Sequence, residues 1–189
     1  PGPGYGGSCF PKDTLAVVKT ARDYGAPLRI VETVVDVNQQ RKQAMADRVV
    51  AACGGTVAGK TIAVLGLTFK ANTDDMRDSP ALDILPALQQ AGAAIRAYDP
   101  EGMEEARKML PGIGFAEGAY AAMEGADAVV VITEWNEFRA LDPERMRRVL
   151  RAPIVVDLRN IYDPRQMAAA GIRYSSIGRP SPAIQESTR

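Results

Sequence analysis

The 189-residue sequence contains no histidine, which removes the usual general base and the commonest transition-metal ligand from any chemistry the chain performs by itself. A Ser-His-Asp or Cys-His arrangement is excluded, and no metal site is expected. The two cysteines, Cys9 and Cys53, are too few for a disulfide framework or a thiolate zinc site, so both read as free thiols in a reducing compartment. An excess of one charge is missing too. Lys plus Arg and Asp plus Glu each number 23, which leaves no surplus for nucleic acid or an anionic membrane surface. No apolar run approaches the ~18 residues of a membrane helix, and the amino terminus lacks the charged and apolar regions of a signal peptide. The expectation is a cytoplasmic protein with neither a membrane nor a nucleic-acid partner.

What is present is ordinary globular material, 46% hydrophobic and 24% charged, enough for one domain and an appendage. The sequence opens on Pro1 within a glycine-rich segment and reads as a piece of a longer protein. A first helix is predicted over about Pro11 to Tyr24, with Pro11 suited to the first helical position and Leu15, Val18 and Ala21 on one face. After Pro27 a second, long helix runs from Leu28 to about Cys53, with Leu28, Val31, Val35, Met45 and Val49 as a buried stripe that Asn38 and Lys42 interrupt. Gly54 and Gly55 end it.

From Gly59 the texture changes to Val- and Ile-rich strands alternating with helices. TIAVLGL at 61–67, AAIRAYDP at 93–100, a short strand at 113–116, DAVVVIT at 127–133, PIVVDLR at 153–159 and a strand at 172–177 alternate with helices near 80–91, 103–110, 120–124, 143 and 164. Such alternation implies a parallel sheet covered on both faces. The predicted fold is therefore α/β, a long central helical segment followed by a Rossmann-like, doubly wound parallel-sheet domain. Residues 1–55 form the cysteine loop and the central helical region, 56–180 the sheet domain, and 181–189 a flexible tail.

Three features could carry chemistry. Gly2, Gly4 and Gly7 match G-x-G-x-x-G letter for letter, but no strand precedes them and Pro3 sits inside, so a dinucleotide fingerprint is rejected. A tight loop wrapping a ligand, with backbone amides at close approach, is the better reading. Cys9 lies just before Pro11, where the positive end of a helix and the nearby Lys12 make a thiol reactive. A lone cysteine is more often a small buried hydrophobe, and Cys53 keeps that reading. For Cys9 the glycines on one side and Pro11, Lys12 and Asp13 on the other are poor core material. The third feature is the turn Gly66–Pro80, with Lys70 and Arg77 beyond the carboxyl end of a strand, where open α/β sheets bind ligands; Asp74, Asp75 and Asp78 partly neutralise these cations, and a solvated loop is the alternative. Asp99 sits where a ribose-binding acid would, and is read as a turn residue with Pro100.

The strings GYGGSCFPKD at 4–13, GLTFKANTDDMRDSPA at 66–81, TEWNEF at 133–138 and VVDLRN at 155–160 occur in the order and approximate spacing seen in the nucleotide-sugar 6-dehydrogenases. Up to about Pro180 the sequence is most similar to the UDP-glucose 6-dehydrogenases, and members that oxidise GDP-mannose share much of the first two strings. The resemblance implies four-electron oxidation of a UDP-sugar C6 alcohol to a carboxylate with two NAD in succession, through a thiohemiacetal and a thioester on Cys9. It implies that Asp13 organises water and proton transfer, that Lys12 and Arg77 contact NAD, and that Gly2, Pro3, Gly4, Tyr5, Gly6, Phe69, Lys70 and Arg159 contact UDP-glucose. It also implies a separate amino-terminal NAD-binding domain of the same enzyme, a homodimer paired through the central helices, and a role in polysaccharide biosynthesis. Since that domain's fingerprint is not in this sequence, the chain alone is expected to be inactive. A stand-alone UDP-sugar-binding module and a dimerisation module are the competing readings.

Overall fold

The computed structural model describes residues 2–180; the tail expected at 181–189 lies outside the described residues. A glycine-rich loop at 2–9 leads into α1 (Phe10–Asp23), which carries Pro11 in its first turn as expected. Of its expected inner face only Val18 is buried, while Leu15 is 56% exposed. Helix α2 (Arg29–Ala52) is 24 residues long, about 36 Å at 1.5 Å per residue. Its carboxyl half supplies the buried Met45, Ala46 and Val49, whereas at the other end Leu28 is exposed. The buried stripe is thus half as long as the periodicity predicts.

Beyond α2 the alternation resolves into β1 (Thr61–Leu65), α3 (Ala81–Gln90), β2 (Ala94–Tyr98), α4 (Met103–Met109), β3 (Gly114–Phe115), α5 (Ala119–Met123), β4 (Ala128–Val131), α6 (Asn136–Arg139), α7 (Pro143–Val149), β5 (Ile154–Asp157), α8 (Pro164–Ala169) and β6 (Arg173–Ser176). Asp142 and Asp163 each cap the following helix by accepting two backbone N–H bonds, which explains why Asp-Pro starts both α7 and α8. The six strands are parallel in the order β3-β2-β1-β4-β5-β6, the doubly wound arrangement. Successive strand residues alternate between two cores. Ile62, Val64, Val130 and Val156 face the layer that includes α2 and α3, and Ala63, Leu65, Val129 and Val131 face the layer of α5, α7 and α8. Since Met45, Ala46, Val49 and Cys53 join the first core, the carboxyl half of α2 is part of the sheet's cover. Among the described residues no helix is long and apolar enough to cross a membrane.

A candidate nucleotide-sugar cleft at the switch point

The winding direction reverses between β1 and β4, so the loops that follow these strands diverge and leave a crevice at their carboxyl ends. Both loops are fixed from within. Ser79 Oγ donates to Leu67 O at 2.5 Å, Thr133 Oγ1 to Thr68 O at 2.6 Å, and Thr68 Oγ1 to Lys70 O at 2.9 Å. The two ends of the turn 66–80 are therefore fixed, while Lys70, Asp74, Arg77 and Asp78 along it are exposed.

Asp99, at the end of β2, is fully buried and accepts from the N–H groups of Leu67, Thr68, Glu101 and Gly102 and the Trp135 indole N–H. Every lone-pair direction is spent inside the protein. A dinucleotide-binding sheet presents this acid to a ribose; here it is an internal tie, and the turn after β1 lacks the glycine fingerprint. The sheet's own crevice does not fit NAD.

The glycine loop closes the cleft from the opposite side. Gly7 N–H donates to Arg77 O at 2.8 Å, and a Cβ at Gly6 would lie 2.2 Å from the Asp78 carbonyl oxygen, so only glycine permits this approach. Helix α2 grips the same loop. Asn38 accepts from Tyr5 N–H at 2.8 Å and donates to Tyr5 O at 3.1 Å, and Arg41 Nε donates to Gly2 O at 2.6 Å. On the strand side Asp157 ends β5 and accepts from the N–H groups of Arg159, Ile161 and Tyr162, which turns the chain so that Arg159 projects into the cleft. Burial, with the nearby Asp157 charge as the next cause, raises the phenol pKa values of Tyr162 and Tyr174.

The result is a cavity of about 950 Å³. Of the residues expected to contact substrate, Gly2, Gly4, Tyr5, Gly6, Phe69, Lys70 and Arg159 line it, while Pro3 is buried behind the loop. Asn38, Arg41, Glu134 and Arg139 also line it and were not expected from the sequence to contact substrate. Only Glu134 lies in a string that pointed to the site, TEWNEF. The wall carries the cations Arg41, Lys70, Arg139 and Arg159 against the single carboxylate of Glu134, which forms an ion pair with Arg159. The atom of Glu134 in this pair, Oε2, is buried. Such a wall suits a ligand with two or more negative charges.

Cys9, Lys12, Asp13 and Arg77 are exposed and do not line the cavity. Cys9 is the residue before α1, its Sγ 3.7 Å from Ser8 Oγ, and Asp13 N–H donates to Cys9 O at 2.8 Å, so Cys9 and Asp13 stand one turn apart on one face. Asp13 pairs with Lys12 at 3.4 Å with both side chains in solvent. The Arg77 guanidinium forms two hydrogen bonds to Asp75 and its backbone N–H a third, which lower the Asp75 pKa; in turn Asp75 raises that of Arg77. Cys53 is buried, and burial raises its pKa, the mark of an inert thiol. Among the described residues no cluster of His, Cys, Asp and Glu could hold a metal ion.

A doubly wound α/β sheet with a cation-lined crevice at its switch point defines the structural class. The UDP binding domain model of the UDP-glucose/GDP-mannose dehydrogenase family matches residues 63–164 and that family's central domain model matches residues 1–40, so the chain belongs to this family. It is 62% identical over 95% of its length to a UDP-glucose 6-dehydrogenase of Rhizobium meliloti (strain 1021), and 42% identical over 95% to UDP-glucose 6-dehydrogenase TuaD of Bacillus subtilis (strain 168). The chain spans 41% and 39% of the length of these two relatives. Among solved structures, a UDP-glucose dehydrogenase from Pyrobaculum islandicum superposes with a TM-score of 0.78 at 33% identity, covering 92% of this chain and 38% of that one. An NDP-N-acetyl-D-galactosaminuronic acid dehydrogenase from Methanosarcina mazei Go1 superposes with a TM-score of 0.84 at 26% identity, covering 96% and 40%.

Proposed function

We propose that this chain supplies the nucleotide-sugar cleft and the covalent nucleophile of an NAD-dependent UDP-glucose 6-dehydrogenase. The observation that carries the reading is the convergence of the glycine loop, the β1 turn and Arg159 on one cationic cavity, with a reactive-type residue, Cys9, exposed at the end of that glycine loop. Lys70 and Arg159 bind the diphosphate and glycine-loop amides hold the sugar. Cys9 sulfur adds to the C6 aldehyde to give a thiohemiacetal. Oxidation of that adduct leaves a thioester, and water oriented by Asp13 cleaves it to release the carboxylate and restore the thiol. NAD, when bound, supplies the hydride acceptor, with Lys12 and Arg77 as contacts. Residues 1–55 carry the nucleophile and one wall of the cleft, and 56–180 the other wall with Phe69, Lys70 and Arg159.

Calorimetry of this chain with UDP, UDP-glucose and GDP tests the site. UDP should bind and GDP should bind more weakly; Arg159→Ala should weaken UDP by about 10- to 100-fold, as expected for losing charge-assisted bonds to a phosphate. Equal affinity for GDP would favour a GDP-mannose enzyme, and no binding of either would remove the reading. Because its sheet lacks a dinucleotide fingerprint, the chain by itself should form no NADH from UDP-glucose. NADH production by the purified chain would refute that.

A second reading rests on the apolar side chains outside the cleft. Phe10, Leu15 and Val17 on α1, Tyr24 just beyond it and Ile30 on α2 are exposed, apolar surface suited to a second copy in a homodimer or to the amino-terminal domain. Ile30, 82% exposed, is the probe. Light scattering should find a dimer that Ile30→Glu converts to monomer without lowering the thermal midpoint; an unchanged mass for the variant would argue against this face.

A further inference from the structure

Lys42 is the one buried cation among the described residues, 4% exposed. An apolar side chain of its size would fill the space without the cost of desolvating a charge, so its polar end calls for a role. Its Nζ donates to Asp78 O at 3.0 Å and lies 3.6 Å from the Asp83 carboxylate. Its stem packs under the glycine loop, where a Cβ on Gly4 (φ 134°) would come 2.7 Å from Lys42 Cγ. The Asp78 carbonyl it holds is the same one over which Gly6 closes, and Asp78 itself has the strained φ of 50°. One side chain therefore joins the loop that carries Cys9, the turn that carries Phe69 and Lys70, and helix α3. Lys42 does not line the cavity.

We propose that Lys42 is a positioning residue that couples occupation of the cleft to Cys9. By holding the Asp78 carbonyl against the glycine loop it keeps the nucleophile's loop and the substrate-binding turn in one arrangement. A ligand that engages Phe69 and Lys70 then also fixes Cys9. Without the Lys42 donor the two segments are left joined by the single Gly7–Arg77 backbone hydrogen bond, and Cys9 follows the turn less closely. This rests on the nucleotide-sugar reading of the cleft.

The test measures the rate of Cys9 alkylation by iodoacetamide in this chain, with and without saturating UDP, by mass spectrometry of the Cys9 peptide. In the wild type UDP should change that rate by at least about fivefold, the lower range of typical site-to-site coupling. Lys42→Met should still bind UDP but lose the effect of UDP on Cys9, and Lys42→Arg should restore it. A merely structural role would lower the thermal midpoint and leave the coupling intact. If the Met variant does not fold, Asp83→Asn, which removes only the carboxylate partner, should reduce the coupling. Wild-type coupling in either folded variant overturns the proposal, as does UDP binding to the wild type with no effect on Cys9. Loss of UDP binding by a folded Met variant would instead make Lys42 part of the ligand site and also overturn it. Absence of UDP binding by the wild type is a failure of the nucleotide-sugar reading instead.

Discussion

Cys9→Ala in the intact protein should abolish carboxylate formation from UDP-glucose, with a loss of at least about a thousandfold, because the variant has no group to hold the aldehyde for the second oxidation. The fold should not notice. Cys9 is exposed and makes only a 3.7 Å contact with Ser8, so the change in stability should stay within about 0.5 kcal/mol. UDP affinity should hold within about twofold, since Cys9 does not line the cavity and its removal takes no hydrogen bond from the ligand. Cys53→Ala is the matching control. That thiol sits in the core with Met45 and Val49, so its loss should cost about 1 kcal/mol of stability and leave turnover unchanged. Carboxylate formation at the wild-type rate by Cys9→Ala would end the covalent route, whatever the affinity for UDP.

The sheet was legible because parallel strands buried on both faces must be continuous apolar runs, and runs such as AVVV leave no competing reading once Gly and Asp-Pro mark the ends. The cleft was legible in part. Phe69, Lys70 and Arg159 follow strands directly, and position at the carboxyl end of a strand is itself a signal. Arg41 gave none, and Asn38 and Lys42 only interrupted the apolar stripe, because on a helix polar residues are ordinarily read as the solvent side. That interruption is where α2 grips the glycine loop, through Asn38 and Tyr5, and the turn after β1, through Lys42 and Asp78. Periodicity reports which face is apolar; it does not report that another backbone segment with unpaired N–H and C=O groups lies on that face. The same limit explains the exposed Leu15 and Leu28, since a pattern written for burial does not say whether the partner is within the chain.

Asp99→Ala should be the most destabilising single change in the sheet domain, costing about 3–5 kcal/mol in a urea titration, although Asp99 belongs to no apolar cluster. The residue replaces water for donors on three segments at once: the turn after β1 through Leu67 and Thr68, the start of α4 through Glu101 and Gly102, and the TEWNEF segment through Trp135. Removing the carboxylate strands all of these in a dry interior, and Gly102 packs too close to Thr68 for the loops to open and admit solvent cheaply, a Cβ there lying 2.5 Å from Thr68 Cγ2. Asp99→Asn tests the distinction between shape and acceptor capacity. The amide has the right volume but replaces one acceptor oxygen with a donor facing N–H groups, so it should recover at most about half of the loss. UDP affinity should fall with stability in both variants, because Phe69 and Lys70 are presented by the turn that Asp99 ties down. A stable Asp99→Ala protein with wild-type affinity would mean that the β1 turn is held by Ser79 and Thr133 alone, and that the acid at the end of β2 is spare.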